Sequence, residues 1–113
     1  MTNPPALQEL LHARDLARRG DVAAALAAYV RAASLAPTRL AAVREGARFA
    51  LAHGMSTAAL RLLELGLRAE PHSAELHALL AIAHHASGRS ADATTSAERA
   101  LQIDPGEPTA AAG

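Results

Sequence analysis

The chain has 113 residues, room for one compact domain, and half of them are apolar although Tyr29 and Phe49 are its only aromatic residues. The formal charge is zero and there is no cysteine, which excludes a broadly basic nucleic-acid footprint, a disulfide framework and thiolate chemistry. Met1 to Pro5 carry no basic region followed by an apolar one, and no stretch is long enough to span a bilayer, so a cytoplasmic protein is expected.

Alanine fills more than a quarter of the chain, while β-branched and aromatic residues are scarce, which favours helices over strands. A first helix is predicted over residues 4–19, capped by Asn3, with Pro4 in the first position where a missing N–H costs nothing. Gly20 ends it, and Asp21 caps a second helix over 21–35 that Pro37 prevents from continuing. Thr38 opens a third helix, 39–53, which stops at Gly54. Ser56 opens a fourth, 56–69, closed by Pro71. Ser73 and Gly88 bracket the fifth, 73–87, and Ser90 and Pro105 the sixth, 90–103. Residues 106–113 form a Pro/Gly/Ala tail expected to be disordered.

These signals recur with a period of 34 residues. Gly20, Gly54 and Gly88 share that step, as do Pro37, Pro71 and Pro105. So do three series of small residues: Ala13, Ala47 and Ala81; Ala25, Ala59 and Ala93; Ala32, Gly66 and Ala100. A fixed period of this length marks stacked supersecondary units.

The period and residue types resemble the tetratricopeptide (TPR) family. Ala13, Gly20, Ala25, Tyr29, Ala32 and Pro37 match its pattern in the first unit, Gly46, Ala47, Ala59, Leu63, Gly66 and Pro71 in the second, and Leu80, Ala81, Ala93, Ala100 and Pro105 in the third. Two family aromatics are missing: the early Trp is replaced by Glu9, Val43 and His77, and the aromatic further along the first helix by Leu16, Ala50 and His84. The resemblance implies an all-α fold, an α-solenoid of three helix-turn-helix repeats in a right-handed superhelix. It spans one domain, residues 1–105, with repeats 6–39, 40–73 and 74–107.

Stacked units bury faces that end units must make polar. On the first helices, Ala42 and Phe49, then Leu76 and Ala83, give way to Gln8 and Asp15 in unit one. On the second helices, Leu26 and Tyr29, then Leu60 and Leu63, give way to Thr94 and Ala97 in unit three. Both ends are thus expected to be finished, with Ala97 and Leu101 leaving a modest apolar strip.

In the family fold the first helices line a concave groove. Groove positions are expected at Leu10, Arg14, Ala17, Arg18, Arg44, Arg48, Leu51, Glu75, Ala78, Ile82 and His85. Arg14/Arg18 and Arg44/Arg48 are i,i+4 pairs, each on one helix face. All eleven basic residues are arginine, as GC-rich, bacterial-like coding would give, and arginine suits bidentate carboxylate contacts. The four arginines read either as a patch for an acidic segment or C-terminal carboxylate, or as an ordinary solvated face. Some family members clamp chaperone tails at positions that here are Leu10, Arg14, Glu45, Glu75 and Leu79, and apart from Arg14 the chemistry is wrong for that ligand.

No catalytic, cofactor-binding or metal-ligating constellation is read from the sequence. His77 and His84 are two helical turns apart, about 10 Å along the axis, and His84 and His85 point in different directions. No phosphate-cradling glycine loop occurs, and the arginines lack interleaved aromatics for stacking bases. A non-enzymatic scaffold or adaptor that binds a protein or peptide is expected, as a monomer or weak homo-oligomer, with no nucleic acid and no membrane. Two other readings stay open: a self-assembly module, and a non-catalytic accessory subunit of an enzyme complex. The charge runs +2, +1 and −3 across residues 1–39, 40–73 and 74–113, a gradient that suits head-to-tail contact or is chance scatter.

Overall fold

A computed structural model describes residues 5–111. Six long helices follow one another: α1 Pro5–Arg18, α2 Val22–Ala33, α3 Arg39–Ala52, α4 Ser56–Ala69, α5 Ala74–Ala86 and α6 Ser90–Ile103. A 3₁₀ turn at Ala36–Thr38 precedes α3, and a four-residue helix, α7, follows α6 at Pro108–Ala111. There is no strand among the described residues. Each long helix ends within two residues of its predicted bound, and α2 to α6 also start within two residues of theirs. The predicted cap at Asn3 and the Pro4 position lie outside the described residues.

The agreement has a local cause. Gly20, Gly54 and Gly88 take φ of +77°, +70° and +77°, the left-handed region that glycine enters without a Cβ penalty. Each ends its helix in the same pair of bonds. The Gly20 N–H donates to Ala17 O at 3.1 Å, and the Asp21 N–H reaches back to Leu16 O at 3.1 Å. The same pattern joins Gly54 to Leu51 and Met55 to Ala50, and again Gly88 to His85 and Arg89 to His84. An alanine at Gly54 meets no neighbour within 4 Å, so only the backbone resists it. Gly54→Ala is expected to cost about 1 kcal/mol or somewhat more, read as a fall in thermal midpoint with an unchanged circular dichroism spectrum.

Not every predicted cap acts as one. Asp21 Oδ1 accepts from the Ala24 N–H at 3.4 Å and Ser73 Oγ from the Leu76 N–H at 3.3 Å, as expected. Thr38 instead turns inward, and its buried hydroxyl donates to Ala32 O at 2.9 Å. It ties the end of α2 to the start of α3. Ser56 and Ser90 are already the first residues of α4 and α6, with Met55 and Arg89 in the cap positions.

Each helix packs on the next, giving a stack about 45 × 25 × 20 Å. The core is mostly alanine and leucine, with Leu62, Leu63, Leu76, Leu79 and Val43 as its largest fully buried side chains. Gly46 and Gly66 let helices meet closely: a Cβ at Gly46 would lie 2.9 Å from Tyr29 Cβ, and one at Gly66 2.8 Å from Val43 Cγ1. At the missing family aromatics, Val43 and Ala50 are fully buried, and Glu9 pairs with Arg31 at 3.0 Å across α1 and α2. The stacking faces follow the positional comparison in part: Ala42, Leu63, Leu76 and Ala83 are buried while Gln8 and Thr94 are exposed, but Phe49, Leu60, Asp15 and Ala97 are all half-buried.

In place of the disordered tail expected from residue 106, residues 106–111 form a turn and α7, which rests on α5 and α6. The Gly106 N–H donates to Asp104 Oδ1 at 3.0 Å, and the buried Glu107 carboxylate accepts from the Thr109 N–H at 3.0 Å. Proline and glycine here shape a capped turn, where the sequence suggested only breakers.

Candidate functional site

The first helices α1, α3 and α5 carry a ladder of ion pairs from one repeat to the next. Arg14 on α1 grips Glu45 on α3 with two parallel bonds, Nε to Oε1 at 2.8 Å and Nη2 to Oε2 at 2.7 Å. This fork geometry is the strong form of an arginine–carboxylate pair. It holds the Arg14 guanidinium above its usual pKa. Beneath it Tyr29 is buried, and burial, reinforced by the Glu45 charge, raises its phenol pKa.

The next rung is looser. Glu75 on α5 is shared by two arginines of α3, with Arg44 Nε 3.5 Å from Oε1 and Arg48 Nη2 3.9 Å from Oε2. Oε1 is buried and makes no hydrogen bond among the described residues. At these distances the arginines attract the carboxylate without satisfying it. A groove of about 210 Å³ opens beside this cluster, lined by Leu40, Arg44, Ser73, Glu75 and Leu76. Arg18 belongs to neither rung, because it pairs with Asp15 on its own helix at 3.0 Å, and Arg19 takes the other oxygen of the same carboxylate.

The four arginines singled out in the sequence are therefore exposed but engaged. Ile82, 42% exposed, and His85 lie on the open side of α5. Four expected groove positions turn inward: Leu10 and Ala78 are buried, and Ala17 and Leu51 are half-buried against the core. The sequence offered no sign of the pairing partners beyond acidic residues 31 positions after Arg14 and Arg44.

Three of the six histidines bond to nearby groups. His77 Nε2 donates to Pro71 O at 2.8 Å and His53 Nδ1 to Phe49 O at 2.9 Å, while Arg99 donates to His72 Nδ1 at 3.3 Å. His12 is exposed. Among the described residues no three His, Asp or Glu side chains stand close enough to hold a metal ion. No helix among them is long and apolar enough to cross a membrane. A further surface, missed in the sequence, lies between α2 and α4, where Val30 and Met55 are exposed beside Arg61 and Arg68.

No family model and no curated protein matches the sequence. Among solved structures, the fold is similar to MamA, a helical TPR-like repeat protein. MamA 41-end from Desulfovibrio magneticus RS-1 superimposes with a TM-score of 0.70 at 22% identity over 88% of this chain. The MamA RS-1 ArsTM double mutant gives 0.72 at 22% identity over 89%. The chain spans 56% and 57% of those two chains, and at this identity the likeness is one of fold: three TPR-like helical hairpins stacked as an all-α solenoid.

Proposed function

We propose that this chain is a cytoplasmic adaptor with no active site of its own, which binds a protein segment along the groove of α1, α3 and α5. The observation that carries this reading is the unequal ladder. Arg14 is fully committed to Glu45, whereas Arg44 and Arg48 share Glu75 at 3.5 and 3.9 Å and leave one of its oxygens buried without a hydrogen bond. A second carboxylate would satisfy two guanidinium groups that one now serves poorly. An acidic segment or a C-terminal carboxylate is the ligand that fits, with Ile82 and His85 further along the groove.

The test is affinity capture with mass spectrometry using wild type, Arg44→Glu/Arg48→Glu and Arg14→Ala. Proteins recovered by wild type are expected to fall about tenfold or more with the double reversal and much less with Arg14→Ala. Equal recovery by all three, with each variant folded, overturns the reading.

A second reading, self-assembly through the ends, is favoured by the charge gradient and by the exposed Leu11 and Leu101, 44% and 37% accessible at opposite ends of the stack. A mass by light scattering that does not change with concentration would rule it out.

A further inference from the structure

The second-helix layer carries an open apolar trough where α2 and α4 run side by side. Two adjoining hollows of about 360 and 260 Å³ share Val30 and Arg61, and a third of about 370 Å³ adjoins through Leu65 and Arg68. The floor is Leu26, Leu62 and Leu65, and two of the chain's exposed large apolar side chains, Val30 and Met55, stand at 40% and 43% accessibility in the same trough.

Charge sets this trough apart from the groove of the first helices. Eight of the eleven arginines have a carboxylate, carbonyl or imidazole partner. Arg61, Arg68 and Arg89 make no such contact among the described residues, and the first two line the trough. One acidic side chain, Glu64, lies between them in sequence and also lines it, so the surface keeps net positive charge.

The spacing selects the conformation of a ligand. Arg61 and Arg68 are seven residues apart, two turns of α4, which puts them on one face about 10 Å from each other. A helix lying along the trough offers two carboxylates at that distance on one face when they are also seven residues apart. An extended segment reaches the same distance in about three residues, and an odd step puts the two side chains on opposite faces. We infer that this trough docks an amphipathic helix of a partner protein, whose apolar stripe covers Val30 and Met55 and whose acidic residues, seven apart, pair with Arg61 and Arg68.

The probe is a designed, fluorescently labelled helical peptide with a leucine stripe and two glutamates seven residues apart, measured by fluorescence anisotropy. A matched peptide carries glutamine in their place. The glutamate peptide is expected to bind wild type in the micromolar range, with about tenfold loss for the glutamine peptide and at least as much for Arg61→Glu/Arg68→Glu. Val30→Asp should weaken both peptides. Arg61, Arg68 and Val30 are exposed, so these variants should keep the wild-type circular dichroism spectrum. Arg44→Glu/Arg48→Glu should leave peptide binding unchanged, which separates this surface from the groove of the first helices. Absence of binding, equal binding by both peptides, or indifference to Arg61→Glu/Arg68→Glu overturns the inference. So does concentration-dependent dimerisation of wild type abolished by Arg61→Glu/Arg68→Glu, since a second copy would then be the occupant.

Discussion

Leu62→Ala is expected to lower the free energy of unfolding by about 3 kcal/mol, within the range of about 2–5 found for buried leucines. Leu62 is fully buried at the centre of the stack and is among the few large side chains in a core otherwise built from alanine. Its Cδ1 fills the space above Gly46, where a Cβ would come within 2.8 Å of it. Alanine neighbours have no rotamers with which to close a cavity, so the void should persist and the loss should stay clear of the bottom of that range. For a domain whose total stability is about 5–15 kcal/mol, this is a large fraction. Urea denaturation followed by helical circular dichroism measures it, as a lower midpoint at an unchanged slope. A loss below about 1 kcal/mol would mean that the helices close over the site, and the account of a rigid alanine-rich core would be wrong.

The opposite change, filling space that is not there, should be comparably damaging. At Gly46 a Cβ would lie 2.8 Å from Leu62 Cδ1, 2.9 Å from Tyr29 Cβ and 3.0 Å from Tyr29 Cγ. The leucine methyl can swing away, but Tyr29 Cβ is fixed to the backbone of α2, so α2 and α3 must separate. Overpacking costs about 1–3 kcal/mol for modest insertions. Gly46→Ala recovers about 1 kcal/mol in helix propensity, so its net loss should be small. Gly46→Val adds two further methyls and loses most of that compensation, so about 3 kcal/mol or more is expected. Thermal unfolding of the two variants checks the order. A valine variant as stable as wild type would show that α2 and α3 slide apart freely.

Much of the fold is legible because its determinants are local. Glycine is favoured at position 54 because the turn after α3 takes positive φ, and the same preference recurs at Gly20 and Gly88. The faces that stack could be read by comparing equivalent positions, since a buried Leu76 and an exposed Gln8 differ in the one property that burial selects. The candidate site was legible only in part. Arg14, Arg44 and Arg48 were identified, but their state was not, because their partners lie on the next repeat.

The 34-residue period by itself determined the six helices, their glycine stops and the small residues at helix crossings, since backbone propensity and side-chain size act within a turn or between neighbouring helices. The tertiary structure decided the rest. Arg14 meets Glu45 and Arg44 approaches Glu75, each 31 residues on. That separation falls short of the repeat by about one helical turn, so the partners on neighbouring first helices are not repeat equivalents and the period does not pair them. The same docking buried Leu10, opened the trough beside Arg61 and Arg68, and folded Glu107 under α7. Side-chain chemistry is written along the chain. Which groups are left with unmet charge depends on how the helices come to rest against one another.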